Sequence, residues 1–365
     1  MGSVRAGVMA APHAPVEIRE VPEPELEPGS ALLEVECSEV CGTDVHLRDG
    51  RLAGVPYPII PGHVSVGRLE KIRGRLADVH GRPFTEGERV TFLDVHRTCH
   101  ACWYCLVAKA STRCPERKVY GITYGLEDGL TGGWATKLHL KPGTCCIRLE
   151  EVPAATFMAG GCALPTALHA VERAGIAIGD SVLVLGSGPV GLSVIILAAM
   201  RGAGRILCIG GPANRLQSAT DVGATDTLDF QSRDATEQQE WVRERTDGRG
   251  ADLAIEATGD PGAVTQAMRC ARDAGRVVVV GQYTDRGETT FNPHLDLNRK
   301  HLDVRGCWGS DFSHFHLGSR IMLDPDRRAP WERIALQPYG LDRLNEALAD
   351  VADGRVVKAL VDPRL

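Results

Sequence analysis

The 365-residue chain has no apolar run that looks long enough to cross a bilayer, and stretches such as Val277 to Val280 fall far short of one. It also has no basic stripe and no polybasic patch. With a net charge of −6, neither nucleic acid nor an anionic lipid surface is an expected partner. The opening segment MGSVRAGVMAAPHAP lacks the apolar stretch of a secretion signal. Internal repeats and low-complexity tracts are missing as well, which excludes a solenoid or a disordered scaffold. These absences predict a cytoplasmic protein.

What is present is ordinary in bulk and unusual in detail. The apolar fraction is 43% and the charged fraction 24%, as in globular proteins, and the length suggests two domains. The chain has twelve cysteines. In a reducing compartment these point to metal or thiol chemistry rather than to disulfides. Cys37, Cys145, Cys146, Cys208, Cys270 and Cys307 read as free thiols packed in the interior.

Four of the others, Cys99, Cys102, Cys105 and Cys114, fall within sixteen residues in the spacing C-x2-C-x2-C-x8-C. Thiolates at these intervals on a short loop can converge on one tetrahedral ion. Four of them fill zinc completely, so this lobe predicts a structural zinc with no position open for chemistry.

The texture changes along the chain. Up to about residue 160, short runs such as ALLEVECSEV, GERVTFLDV and WATKLHLKP alternate with Pro- and Gly-rich turns and read as an irregular β-rich module. From about residue 165, SVLVLG, RILCIG, ADLAIEATG and RVVVVG alternate with helical stretches such as VGLSVIILAAMRGA and PGAVTQAMRCARDA. That alternation predicts a doubly wound parallel α/β sheet. After about residue 306 the texture is irregular again, with a late helix in LDRLNEALADVADG. The expected architecture has 1–163 plus 307–365 as the β-rich domain and 164–306 as an inserted dinucleotide-binding domain.

Gly186, Gly188 and Gly191 form a Gly-x-Gly-x-x-Gly directly between a strand and a helix. The first permits the turn, the second lets backbone approach a pyrophosphate, and the third lets helix pack on strand. Pro189 and Val190 open the helix, whose positive dipole end then faces the phosphates. An acidic residue for the ribose hydroxyls is expected about 20 residues on, but Gly210 and Gly211 stand there. With no carboxylate to repel a 2′-phosphate and Arg215 as the nearest base, either NAD or NADP fits, with NADP slightly favoured.

Three further segments complete a pattern. They are Cys-Gly-Thr-Asp-x-His at Cys41 to His46, Pro-Gly-His-x-x-x-Gly at Pro61 to Gly67, and Cys162 just before the α/β region. With the four-cysteine lobe, the glycine turn and EATG at Glu256 to Gly259, the chain resembles the medium-chain, zinc-dependent alcohol dehydrogenases over nearly its whole length. The resemblance implies a GroES-like catalytic domain carrying the inserted Rossmann domain, an active site in the cleft between them, two zinc ions per chain and NAD or NADP.

It further implies that Cys41, His63 and Cys162 hold a catalytic zinc with one open position. Thr43 would hydrogen-bond the substrate oxygen, and His46 would relay the proton to solvent. Asp44 would accept from the distal nitrogen of His63. The implied reaction passes hydride between an alcohol/carbonyl pair and nicotinamide. Two alternatives stay open: a same-fold reductase of an activated double bond with structural zinc only, and a non-enzymatic dinucleotide-binding protein. A homodimer or homotetramer joined near Val304 is implied by the same likeness.

The chain departs from the family pattern at three places. Val64 follows His63 where Glu is usual, which predicts a more electropositive zinc, a bound water that ionises at lower pH, and slower exchange at the metal. The gap before Cys114 is one residue longer than usual, and His100 replaces a glycine. In GCWGSDFSHFHLGS, His314 and His316 alternate as on a strand, as surface or interface histidines or as a further metal site. Trp308 and Phe312 are expected to line a pocket or an interface.

Overall fold

The computed structural model describes residues 2–365. Contacts divide the chain into two units. The first comprises 2–161, 311–325 and 336–365, and the second 162–310 and 326–335. Residues 162–163 and 307–310 thus fall in the second unit, and 326–335 also leave the β-rich module expected from the sequence. The physical reason is Trp331, which is fully buried and donates from Nε1 to Ser193 Oγ at 3.2 Å.

The first unit is built on a seven-stranded sheet with the strands Leu336–Tyr339, Lys358–Val361, Ser30–Val40, Ser65–Arg73, Arg89–Phe92 and Cys146–Arg148 in that order, and Lys137–Leu140 paired to Ser30–Val40 off that path. The long strand Ser30–Val40 is buried on both faces for most of its length, although Ser30, Ser38 and Glu39 are polar and buried along it. Leu32, Leu33, Phe92, Tyr120 and Trp134 form its best-buried surroundings. Trp134 Nε1 donates to the Glu39 carbonyl at 2.9 Å. On this strand Glu39 forms an ion pair with Lys358 at 2.6 Å, with both side chains sealed from solvent. Removing one partner of such a pair typically costs ~3–5 kcal/mol, because the other charge is left uncompensated.

The second unit carries a six-stranded, all-parallel sheet. Its order is Asp226–Asp229, Arg205–Gly210, Ser181–Leu185, Ala251–Glu256, Ala271–Val279, Asp303–Gly306. In chain order this is 3-2-1-4-5-6, the dinucleotide-fold order, with its switch point between Ser181–Leu185 and Ala251–Glu256. The helix Pro189–Met200 is apolar almost all round and buried over most of its length, as a helix packed on several sides must be.

The tip of Ala251–Glu256 is fastened by a buried carboxylate. Glu256 Oε1 accepts from the Thr258 and Gly259 backbone at 2.7 and 2.8 Å and from Thr258 Oγ1 at 2.8 Å, and Oε2 accepts from Gly281 N–H at 3.2 Å. Glu256→Ala strands these donors. The expected loss is about 3 kcal/mol, a drop in Tm of roughly 6–12 °C by calorimetry. An unchanged Tm would show that the loop has other anchors.

The helical run Ala154–Ala174 corrects the membrane reading of the sequence. Its 21 residues, with an 18-residue window of mean hydropathy 1.3, satisfy the length and composition of a membrane span, but 67% of that window is buried inside the protein. A turn at Gly160 to Cys162 breaks the run into Ala154–Met158 and Ala163–Ala174, and that break hid its length from the sequence reading.

Candidate active site and metal centres

Strand Ser30–Val40 runs into Cys41, which is the N-cap of the short helix Gly42–Arg48. Asp44 Oδ2 accepts from Cys41 N–H at 2.8 Å, closing a capping box across the junction. Thr43 and His46 are half-buried. They stand three apart on this helix and so share a face.

His63 follows Gly62, whose φ of +87° places it in the left-handed region. A Cβ on Gly62 would come within 2.6–2.8 Å of Trp134 and Ser38, so the turn presenting His63 needs glycine. His63 is buried, and its Nε2 lies 4.0 Å from Cys41 Sγ. Cys162 directly follows Gly161 in the chain, and its thiol belongs to the same cluster. One donor atom each from Glu39, Cys41, His63 and Cys162 lie within 4.8 Å of one another.

The electrostatics of this cluster suit a cation. Burial and the neighbouring Cys41 thiolate push the Asp44 carboxyl well above the usual carboxylate range. Burial opposes a charged His63, but Cys41 and Asp44 outweigh it and raise the imidazole to about 10. Asp44 Oδ1 and His63 Nδ1 are buried with no hydrogen-bond partner. The expected bond from His63 to Asp44 is thus not made, although the cap on Cys41 uses only Asp44 Oδ2 and leaves Oδ1 without a partner. Two thiols, one imidazole and a carboxylate around unpartnered polar atoms fit zinc by donor type.

Glu39 is the residue the sequence reading missed. The signal was an acidic residue inside a strand whose last four positions are all buried, two residues before a predicted ligand. Lys358, in the fully buried strand KALV, was its counterpart.

Cys99, Cys102, Cys105 and Cys114 also converge within 4.8 Å. Cys99 Sγ accepts from Ala101 and Cys102 N–H at 3.4 and 3.2 Å, while Cys99 N–H donates to Cys114 Sγ at 3.2 Å. The two backbone donors lower the Cys99 thiol to about 6, whereas burial and the neighbouring thiols raise Cys105 to about 12. His100 adopts φ +50°, the left-handed conformation that favours glycine. The turn is therefore kept at a cost of ~1–2 kcal/mol. The longer gap is taken up by a turn with Lys109 at φ +53° and the short helix Ser111–Arg113. The six remaining cysteines are free thiols, buried except for the half-buried Cys145.

In the second unit two glycines of the turn, Gly186 and Gly191, are required sterically. Gly186 has φ +110°, and a Cβ there would lie 2.8 Å from the Ala257 carbonyl. A Cβ on Gly191 would lie 2.0 Å from the Gly186 carbonyl, so helix and strand touch there. At Gly188, the N-cap of the helix that Pro189 and Val190 begin, a Cβ would meet nothing within 4 Å. Gly210 ends its strand against Ser187, whose Oγ accepts from Gly211 N–H at 3.0 Å. Arg215 is half-buried in helix Ala213–Asp221, and burial lowers its pKa.

His314 and His316 lie on a helix, Phe312–Leu323, not on a strand. His314 is buried at the third helical position, 3.1 Å from Asp311, and His316 rests against the Phe312 ring. Two residues apart on a helix point to different sides, so the pair shares no face for a metal. Trp308 stacks on Tyr283 and donates to its carbonyl at 3.0 Å.

Comparison with known proteins agrees with this geometry. Residues 27–151 match the alcohol dehydrogenase GroES-like domain and residues 189–322 the zinc-binding dehydrogenase domain. The chain is 32% identical to 5-exo-hydroxycamphor dehydrogenase of Pseudomonas putida over 368 aligned residues, covering 100% of both. It is 29% identical to erythritol/L-threitol dehydrogenase of Mycolicibacterium smegmatis, covering 94% of this chain and 93% of that one. An alcohol dehydrogenase structure from Thermotoga maritima superposes with a TM-score of 0.92 at 29% identity, covering 99% and 100% of the two chains. A zinc-binding dehydrogenase from Sinorhizobium meliloti, solved with NADP bound, gives 0.84 at 25% identity with full coverage of both. A full-length likeness at this level, carrying both domains of the fold, shows that the chain belongs to the medium-chain, zinc-dependent alcohol dehydrogenase family, whose enzymes interconvert alcohols and carbonyl compounds with zinc and NAD(P).

Proposed function

We propose that Cys41, His63 and Cys162 hold the catalytic zinc, that Cys99, Cys102, Cys105 and Cys114 hold a structural one, and that the enzyme carries two zinc ions per chain. The observation that carries this reading is the convergence of those donors within 4.8 Å in two separate groups. When bound, zinc supplies Lewis acidity toward the substrate oxygen, and nicotinamide supplies the hydride acceptor or donor. Thr43 orients that oxygen through its hydroxyl, and His46, on the same helix face, carries the proton toward solvent. Asp44 holds the Cys41 backbone in place. Gly186, Gly188, Pro189, Val190, Gly191 and Gly210 shape the dinucleotide turn, with the helix N-terminus meeting the pyrophosphate.

The relatives named for a hydroxylated terpenoid and for polyols make secondary alcohols and vicinal polyols the first substrates to test. A panel of primary alcohols, secondary alcohols and polyols, each with NAD and NADP, reads out substrate class and cofactor together. The absence of a carboxylate at Gly210 and Gly211 and the half-buried Arg215 favour NADP. Arg215→Ala should lower kcat/KM with NADP by roughly ten- to a hundredfold and leave NAD nearly unchanged, the worth of one or two charged hydrogen bonds. Equal losses with both cofactors would remove Arg215 from 2′-phosphate recognition, and inertness with every substrate would contradict the alcohol reading.

The edge strand Asp303–Gly306 pairs on one side only, with Val304 exposed. We place a homodimer contact there, within a dimer or tetramer. Val304→Lys is expected to shift sedimentation toward monomer, and a monomeric wild type would refute the assignment. None of the twelve cysteines is in a disulfide, which supports a reducing, cytoplasmic setting.

A further inference from the structure

The Glu39–Lys358 pair is used by nothing in the chemistry assigned so far. It spans adjacent antiparallel strands, in which Leu360 lies opposite Glu39 and Ala359 opposite Val40. Its side chains are 0% and 2% exposed. Space for it is reserved by Gly161, the residue before Cys162. A Cβ at Gly161 would lie 2.3 Å from Glu39 Oε2 and 2.4 Å from Lys358 Nζ. The Glu39 carboxylate thus reaches both the lysine and the donor cluster of Cys41, His63 and Cys162. At the position directly after His63, Val64 is buried and apolar and offers no ligand atom.

We propose that Glu39 is an exchangeable fourth ligand of the catalytic zinc, shared with Lys358 as its counter-cation. The inference rests on the zinc reading of Cys41, His63 and Cys162. Three features converge on it. A carboxylate oxygen lies among the three other donors, a lysine stands in an otherwise apolar buried strand, and a glycine keeps open the space between them and Cys162. A buried lysine is costly unless a charge faces it. Lys358 compensates Glu39 whenever the carboxylate leaves the metal. Glu39 yields its position to the substrate oxygen without becoming an isolated buried charge. The carboxylate absent at Val64 is thereby supplied from the neighbouring strand. The expectation of a more electropositive, slowly exchanging metal is replaced by that of a site with its own displaceable anion.

The test is competitive zinc titration of the full-length protein against a chromophoric chelator, together with 113Cd NMR of the cadmium-loaded protein. Glu39→Gln should weaken zinc binding at the catalytic site by roughly ten- to a hundredfold and move only the catalytic cadmium resonance. The four-cysteine resonance serves as the unshifted reference. Lys358→Met should act in the opposite direction and tighten zinc, because the carboxylate then has the metal as its sole partner. A purely structural ion pair would leave zinc affinity and both resonances unchanged in either variant, and this overturns the proposal. Should either single variant fold poorly, Glu39→Gln combined with Lys358→Met removes the pair without stranding a charge. That double variant should show the same weakened zinc and shifted resonance, and wild-type affinity in it would refute the assignment. If wild type itself binds one zinc per chain, the zinc reading fails. If it binds two and Glu39→Gln binds them as wild type does, only the ligand proposal fails.

Discussion

Cys41→Ser is expected to cut turnover by three to four orders of magnitude while the fold and dinucleotide binding persist. Serine is close in size to cysteine, and the Asp44 carboxylate caps the backbone N–H of residue 41 rather than its side chain, so the strand-to-helix junction survives the change. What is lost is one thiolate of the cluster that also contains His63 and Cys162. Lewis-acid stabilisation of charge on the substrate oxygen is worth several kcal/mol. About 5 kcal/mol, at 1.36 kcal/mol per decade, gives the stated loss. The glycine turn and its helix belong to the second unit, so cofactor titration by fluorescence should give a Kd near that of wild type. Turnover within tenfold of wild type would mean that Cys41 is a packed thiol and not a ligand.

The second large effect falls on stability. Cys114→Ser should lower Tm by roughly 10–20 °C and open the lobe to proteases between residues 99 and 114. The lobe has almost no core of its own. Its helix Trp103–Leu106 has no buried residue, and Trp103, Leu106 and Val107 are more than half exposed. The apolar burial that normally offsets chain entropy is missing there, so ligation must fold the segment. A structural zinc contributes its binding energy directly to folding, and ~5 kcal/mol of it accounts for the Tm change at 2–4 °C per kcal/mol. Chelation of the wild-type protein should produce the same protease-sensitive segment. Intact chains under both treatments would contradict a metal-folded lobe.

The parts of this molecule legible in the sequence are those set by local rules. The runs at Ser181–Leu185, Arg205–Gly210 and Ala251–Glu256 are strands because short β-branched segments bounded by glycine have few alternatives. Gly186, Gly188 and Gly191 could be assigned roles from spacing alone, and the contacts a Cβ would make at Gly186 and Gly191 agree with the tight turn and the helix–strand packing expected there. The four-cysteine lobe was legible because its ligands are close in sequence.

What was hidden depends on tertiary contact. Trp331 draws its segment into the second unit through Ser193, 138 residues away. His314 and His316 alternate in sequence, but Asp311 caps a helix there and so overrides the strand period. Glu39 meets Lys358 across 319 residues, a pairing no local pattern announces. Asp44 was given a partner in His63 by likeness; it caps Cys41 through Oδ2, and its Oδ1 and His63 Nδ1 do not meet.

The most direct test of the account is a zinc count by mass spectrometry on purified, chelator-washed protein. Two zinc ions per chain are expected in the wild type, one in Cys41→Ser and one in Cys114→Ser, each variant losing a different ion. A wild type with a single zinc that Cys41→Ser leaves untouched would contradict a catalytic metal held by Cys41, His63 and Cys162.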